Sequence, residues 1–166
     1  AQESNAKPVF AGQYVLVQFD IQKQRAQIAT KEEGFQTMRT SKMEFPYSAY
    51  ETNIREALWM IDQQSIALNG DVKETIFKAT NPRKEGLAFA ANRAKYDIKA
   101  LELQIEGIPF ISTADVRVIP DQNRVIVKKE ADMVPLKNAT VVADTTNQYH
   151  TLTQASIDIF SKTKFT

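Results

Sequence analysis

Few residues in this chain are equipped for catalysis. The one histidine, His150, stands between Tyr149 and Thr151, with no metal-ligating residue two or four positions away. There is no cysteine, which removes thiol catalysis, disulfides and every Cys-ligated metal centre. The glycines Gly12, Gly34, Gly70, Gly86 and Gly107 are too scattered for a G-x-G-x-x-G turn or a Walker loop, so neither phosphate cradle exists. Ser-His-Asp hydrolysis lacks its G-x-S-x-G elbow. Carboxylates remain, and two of them converging in a cleft would suit an acid–base hydrolase. Glu51, Glu56, Asp62, Asp97 and Glu102 each read as solvated surface residues, and Asp20, flanked by Phe19 and Ile21, sits at a strand end. Asp121-Gln122-Asn123 lacks the glycine and distal glutamate of a calcium loop and reads as a turn. No catalytic residue, metal or cofactor is assigned.

Charge adds little. The 166 residues carry 21 Lys+Arg against 20 Asp+Glu, a formal +1, which supplies no long-range field for a polyanion. Basic residues do gather in Lys73, Lys78, Arg83, Lys84, Arg93, Lys95 and Lys99, and again in Arg117, Arg124, Lys128 and Lys129, where neighbouring aromatics could stack bases. Acidic residues interrupt both groups, which argues against nucleic acid. No stretch reaches the ~20 apolar residues of a membrane span. Ala1 fits either cleavage of a signal peptide or removal of an initiator Met.

Any site must be positioned by the elements around it. Gln13–Ile21 alternates Val15, Val17, Phe19 and Ile21 with Tyr14 and Leu16, which predicts a strand, and Ala26–Thr30 and Phe35–Phe45 read as two more, with Lys31-Glu32-Glu33-Gly34 as the turn between them. Ser48 and Glu51 form a capping box, and Ile54, Leu58, Ile61, Ser65 and Leu68 recur at helical spacing up to Asn69-Gly70, predicting a helix. Asn81-Pro82 opens a second helix running to about Lys95, followed by a strand from about Asp97 to Glu106. Thr75–Thr80 is read as a strand. Val116 and Val118, the turn Pro120–Asn123, then Val125 and Val127 predict a hairpin, with further strands at Asn138–Ala143 and Tyr149–Phe160. No internal repeat of 20 to 50 residues is read.

These elements give an α+β fold: a mostly antiparallel sheet of about 7–8 strands with one or two helices packed on one face. Residues 1–12 form an N-terminal arm, 13–160 a single domain and 161–166 a cationic tail. Absent chemistry, many sheet edges, and large apolar residues on both arms point to a non-catalytic structural or interaction protein. The expectation is a self-associating subunit of an envelope, appendage or virion assembly, outside the cytoplasm or in a virion. Its interface or ligand residues would be Phe10, Tyr14, Tyr47, Tyr50, Trp59 and Phe165. The alternatives are an extracytoplasmic module holding a small apolar ligand or peptide between helix and sheet, near Phe45, Tyr47, Tyr50 and Trp59, and the carboxylate hydrolase.

Overall fold

Short runs with an apolar residue at every second position fold here as hairpins. The computed structural model describes residues 6–30, 41–145 and 148–166. After β1 (Ala11–Gln13), the chain makes consecutive hairpins: β2 (Val15–Asp20) with β3 (Arg25–Thr30), β4 (Lys42–Phe45) with β5 (Tyr50–Thr52), and β6 (Glu56–Met60) with β7 (Ser65–Asn69). It continues as β8 (Ile76–Ala79) with β9 (Ala88–Ala90), β10 (Arg93–Asp97) with β11 (Glu102–Glu106), and β12 (Ile111–Thr113) with β13 (Val116–Ile119). A single strand, β14 (Arg124–Val127), precedes the closing pair β15 (Leu136–Thr145) and β16 (Gln148–Ile157).

Successive hairpins are dealt alternately to two layers. One layer is a seven-stranded sheet ordered β14-β11-β10-β7-β6-β3-β2. The other is a five-stranded sheet, β1-β4-β5-β8-β9, extended by a four-stranded one, β12-β13-β15-β16, whose β12 lies beside β9. Every strand pair is antiparallel. The core fills the space between the layers. Ala26, Ile28, Ile66, Leu68, Tyr96, Leu103, Ile105 and Val127 of the seven-stranded sheet face Met43, Phe45, Tyr50, Phe77, Phe89, Ile111 and Val118, all buried. Burying each large apolar side chain contributes about 1.5–3 kcal/mol.

The fold is therefore an all-β sandwich, which corrects the α+β expectation; among the described residues helical geometry is confined to short 3-10 turns such as Pro82–Lys84. The span from Ser48 to Gly70, expected as a helix, is the end of the β4–β5 turn, all of β5, the β6–β7 hairpin and their connections. Ile54, Leu58, Ile61 and Leu68 coincide with helical spacing because two five-residue strands and a four-residue turn place apolar residues at those intervals. Burial follows period two instead: Ala57 is buried and Leu58 faces outward, then Ile66 and Leu68 are buried with Ala67 between them. Ser48 caps no helix; its hydroxyl donates to the Leu101 carbonyl at 3.3 Å. The expected second helix is the Pro82–Lys84 turn followed by β9 and β10, with Ala91 and Ala94 buried by alternation. Only the latter half of the strand expected over 97–106 is extended, because Ile98–Leu101 form the β10–β11 turn. Val116–Ile119 and Arg124–Val127 do not pair with each other: β13 joins β15, and β14 crosses to β11 in the opposite layer. The turn expected at Lys31–Gly34, the start of the Phe35 strand and Ala1 lie outside the described residues.

A repeat is present after all. The hairpins β2–β3, β6–β7 and β10–β11 carry Ile21, Ile61 and Ile98 at the first position of their four-residue turns and Gln24, Gln64 and Leu101 at the last, the latter with φ of 51°, 49° and 55°. The intervals are 40 and 37 residues. The Ile61 N–H donates to the Gln24 carbonyl, and the Ile98 N–H to the Gln64 carbonyl, each at 3.0 Å, so the turns stack as a ladder along one rim. The unit is a pair of hairpins, one for each layer, and stacked units share one continuous core.

Candidate interaction surface

A stacked sandwich has ends, and its edge strands show how each end is finished. At the β14 edge, the following segment folds back along the strand. Lys128 N–H donates to the Asp132 carbonyl at 2.7 Å and Val134 N–H to the Ile126 carbonyl at 2.9 Å, with Met133 bridged to Val127. The last strand, β16, is blunted by two register shifts against β15, where Asn138 and Gln154 take φ of 55°. Bulges of this kind discourage further pairing. The tail beyond it is tied down. Asp158 and Thr166 exchange backbone hydrogen bonds at 2.7 and 2.9 Å, and the Glu85 carboxylate accepts from the Ser161 hydroxyl at 2.7 Å, the Thr163 amide at 3.2 Å and the Thr163 hydroxyl. Those bonds hold the Glu85 carboxyl below its usual range, the Thr163 hydroxyl chiefly.

Among the described residues the opposite end has no such finish. β2 pairs continuously with β3 over six residues, carries no Pro, Lys or bulge, and no strand among the described residues pairs with its outer edge. Val17 and Phe19 lie opposite Ile28 and Ala26, so they point to the inner face. Ile28 and Ala26 are 4% and 0% exposed, whereas Val17 and Phe19 are 47% and 60% exposed, so the inner face that is covered at β3 is open at β2. On the outer face Leu16 is 58% exposed, and in the turn Ile21 is 88% exposed. Ile21 is also the next rung of the turn ladder, the counterpart of Ile61 and Ile98. What should be the interior of a sandwich meets solvent here as a flat apolar edge. That arrangement can extend a sheet by backbone pairing and bury side chains on both faces.

No family model, curated protein or solved structure matches the chain.

The six expected interface or ligand residues are scattered. Tyr14 is exposed and immediately precedes β2, its carbonyl accepting from the Ser41 hydroxyl at 2.7 Å. Phe10 packs on the core with its ring 5.4 Å from that of Phe45, which in turn lies 4.8 Å from Tyr96. Trp59 lies in register with Ala26 and Ile66, partly buried. Tyr47 is in the β4–β5 turn, where its carbonyl accepts from the Glu130 amide at 2.8 Å. Tyr50 is buried beside Phe89, ring centroids 6.1 Å apart, and burial pushes its phenol well above the usual range. Phe165 folds back to bridge Ile159. Phe45 and Tyr50 belong to the packed core, and among the described residues there is no α-helix to form a ligand space against the sheet. Val17, Phe19, Leu16 and Ile21 escaped notice as surface residues. Their signal was a strand with apolar side chains on both faces and no charge until Asp20.

Glu44 and Glu51 are a cross-strand pair, but Lys42 sits between them at 2.6 and 3.2 Å, its ammonium held above its usual range by those bonds, Glu44 first. This is a neutralised surface cluster rather than an acid–base pair in a cleft. A shallow groove of about 750 Å³ crosses the outer face of the seven-stranded sheet over Gln27, Leu58, Ala67, Lys95 and Gln104. Its rim charges are partly paired, Arg93 to Glu106 at 3.4 Å. Asp20 and Asp97 are turn caps, accepting from the Lys23 and Ala100 amides at 3.0 Å. Arg93 and Lys95 lie outside one layer and Lys78 outside the other, so the basic residues form no single patch. His150 is exposed on β16.

Proposed function

We propose that this protein is a non-catalytic assembly subunit that works by contact, through the uncovered β2 end of its sandwich. The observation that carries the reading is the contrast between ends: β14 is covered and β16 is bulged, while β2 offers an unpaired backbone edge flanked by exposed Val17, Phe19, Leu16 and Ile21. Natural sheets defend such edges with Lys, Pro or bulges, and leaving one bare favours pairing with another chain. Sedimentation of the wild type and of Val17→Lys from micromolar to millimolar concentration tests it. Concentration-dependent association that the lysine abolishes is expected, with unchanged melting showing that the fold survives. A wild type that stays monomeric at every concentration removes the reading.

A further inference from the structure

The uncovered end also has a sequence that complements itself, and among the described residues no other end is left uncovered. From these two facts, and resting on the reading above, we infer that the partner at β2 is a second copy of this chain, its own β2 running antiparallel about a two-fold axis through Val17. A two-fold axis normal to the sheet keeps inner faces inner and pairs residues of equal parity. Centred on Val17, it places Val17 against Val17 of the other copy, Val15 against Phe19, and Leu16 against Gln18. The inner face then carries three successive cross-strand pairs, Phe–Val, Val–Val and Val–Phe, in which the exposed side chains of each copy cover those of the other. Asp20, the one charge on the strand, falls opposite the Tyr14 end and far from its own copy, so no like charges meet. With β14 covered and β16 bulged, growth stops at two copies; a closed, isologous dimer results rather than a fibre.

Because the chain has no cysteine, single-cysteine variants report the register directly. Val17→Cys is expected to oxidise to a covalent dimer, doubling the 18.8 kDa mass, while Gln27→Cys, one strand inward, remains monomeric under denaturing electrophoresis. Leu16→Cys and Gln18→Cys should each link poorly alone and efficiently when mixed. Val17→Lys puts two ammonium groups face to face and should weaken self-association on the order of a hundredfold, since such juxtapositions cost several kcal/mol. A dimer in which the 16/18 mixture and Val17→Cys fail to link overturns the proposed register. Higher oligomers that Val17→Lys abolishes overturn two-fold closure yet leave the edge reading intact. A monomer throughout overturns both.

Discussion

The backbone N–H of Ile61 donates to the carbonyl of Gln24 at 3.0 Å, joining two hairpin turns that lie 40 residues apart at their isoleucines. The accepting residue is held in the left-handed region, with φ of 51°, in a four-residue turn without glycine. The second hairpin repeats this at Gln64, and the third at Leu101.

That repetition gives opposite signs to one substitution. Gln64 is exposed, so Gln64→Gly relieves left-handed strain at no packing cost and should stabilise the protein by about 0.5–1 kcal/mol. Leu101 is packed against the core, so Leu101→Gly should instead destabilise it, by roughly 2 kcal/mol. Urea midpoints of the two variants check both.

Gly107 and Gly86 share a φ of 71° but differ in surroundings. A Cβ on Gly107 would lie inside the Asn92 carboxamide, whereas on Gly86 it would meet only the end of the flexible Lys78 side chain at 3.7 Å. Gly86→Ala should therefore cost about 1 kcal/mol, the left-handed penalty alone, and Gly107→Ala more than twice as much. Thermal unfolding of the pair measures the difference.

The Tyr50 hydroxyl is buried with no hydrogen-bond partner, so Tyr50→Phe removes a desolvated polar group and should raise stability by about 1 kcal/mol. Its phenol is raised above the unfolded value. The stability tied to that shift is thus complete below about pH 10 and lost as pH rises through the folded value. Alkaline unfolding followed by phenolate absorbance should move to higher pH in the variant.

Glu85 fastens the C-terminal tail and is shifted the other way. Its contribution is present above the unfolded value near pH 4.3 and disappears as pH falls through the depressed folded one. Glu85→Gln should speed exchange of the Thr163 amide at neutral pH and leave little difference from wild type in strong acid. Hydrogen exchange across that pH range reads the effect.

Extended segments were legible where period-two patterning was strong, as in Val15–Asp20 and most of β16, while Ile76–Ala79 suited a short helix as well as the strand it forms. The hairpins from Glu56 to Asn69 and from Arg93 to Glu106 were not, because their turns are built from Ile, Asp, Gln, Lys, Ala and Leu rather than Asn, Gly or Pro. Without that punctuation, two short strands and a tight turn mimic a helix stripe. The repeat was hidden for the same reason, since it resides in backbone conformation at Gln24, Gln64 and Leu101 more than in shared side chains. The apolar composition of β2 could be read, but whether it is covered depends on the neighbouring layer, which the strand's own residues do not specify.

Dealing hairpins alternately to two layers also makes length a counted quantity. Each unit of 37 to 40 residues adds two strands to the seven-stranded sheet, a step of roughly 10 Å at the ~4.8 Å spacing of strands. Gain or loss of a whole unit would lengthen or shorten the stack by that step and leave every remaining turn rung matched to a neighbour.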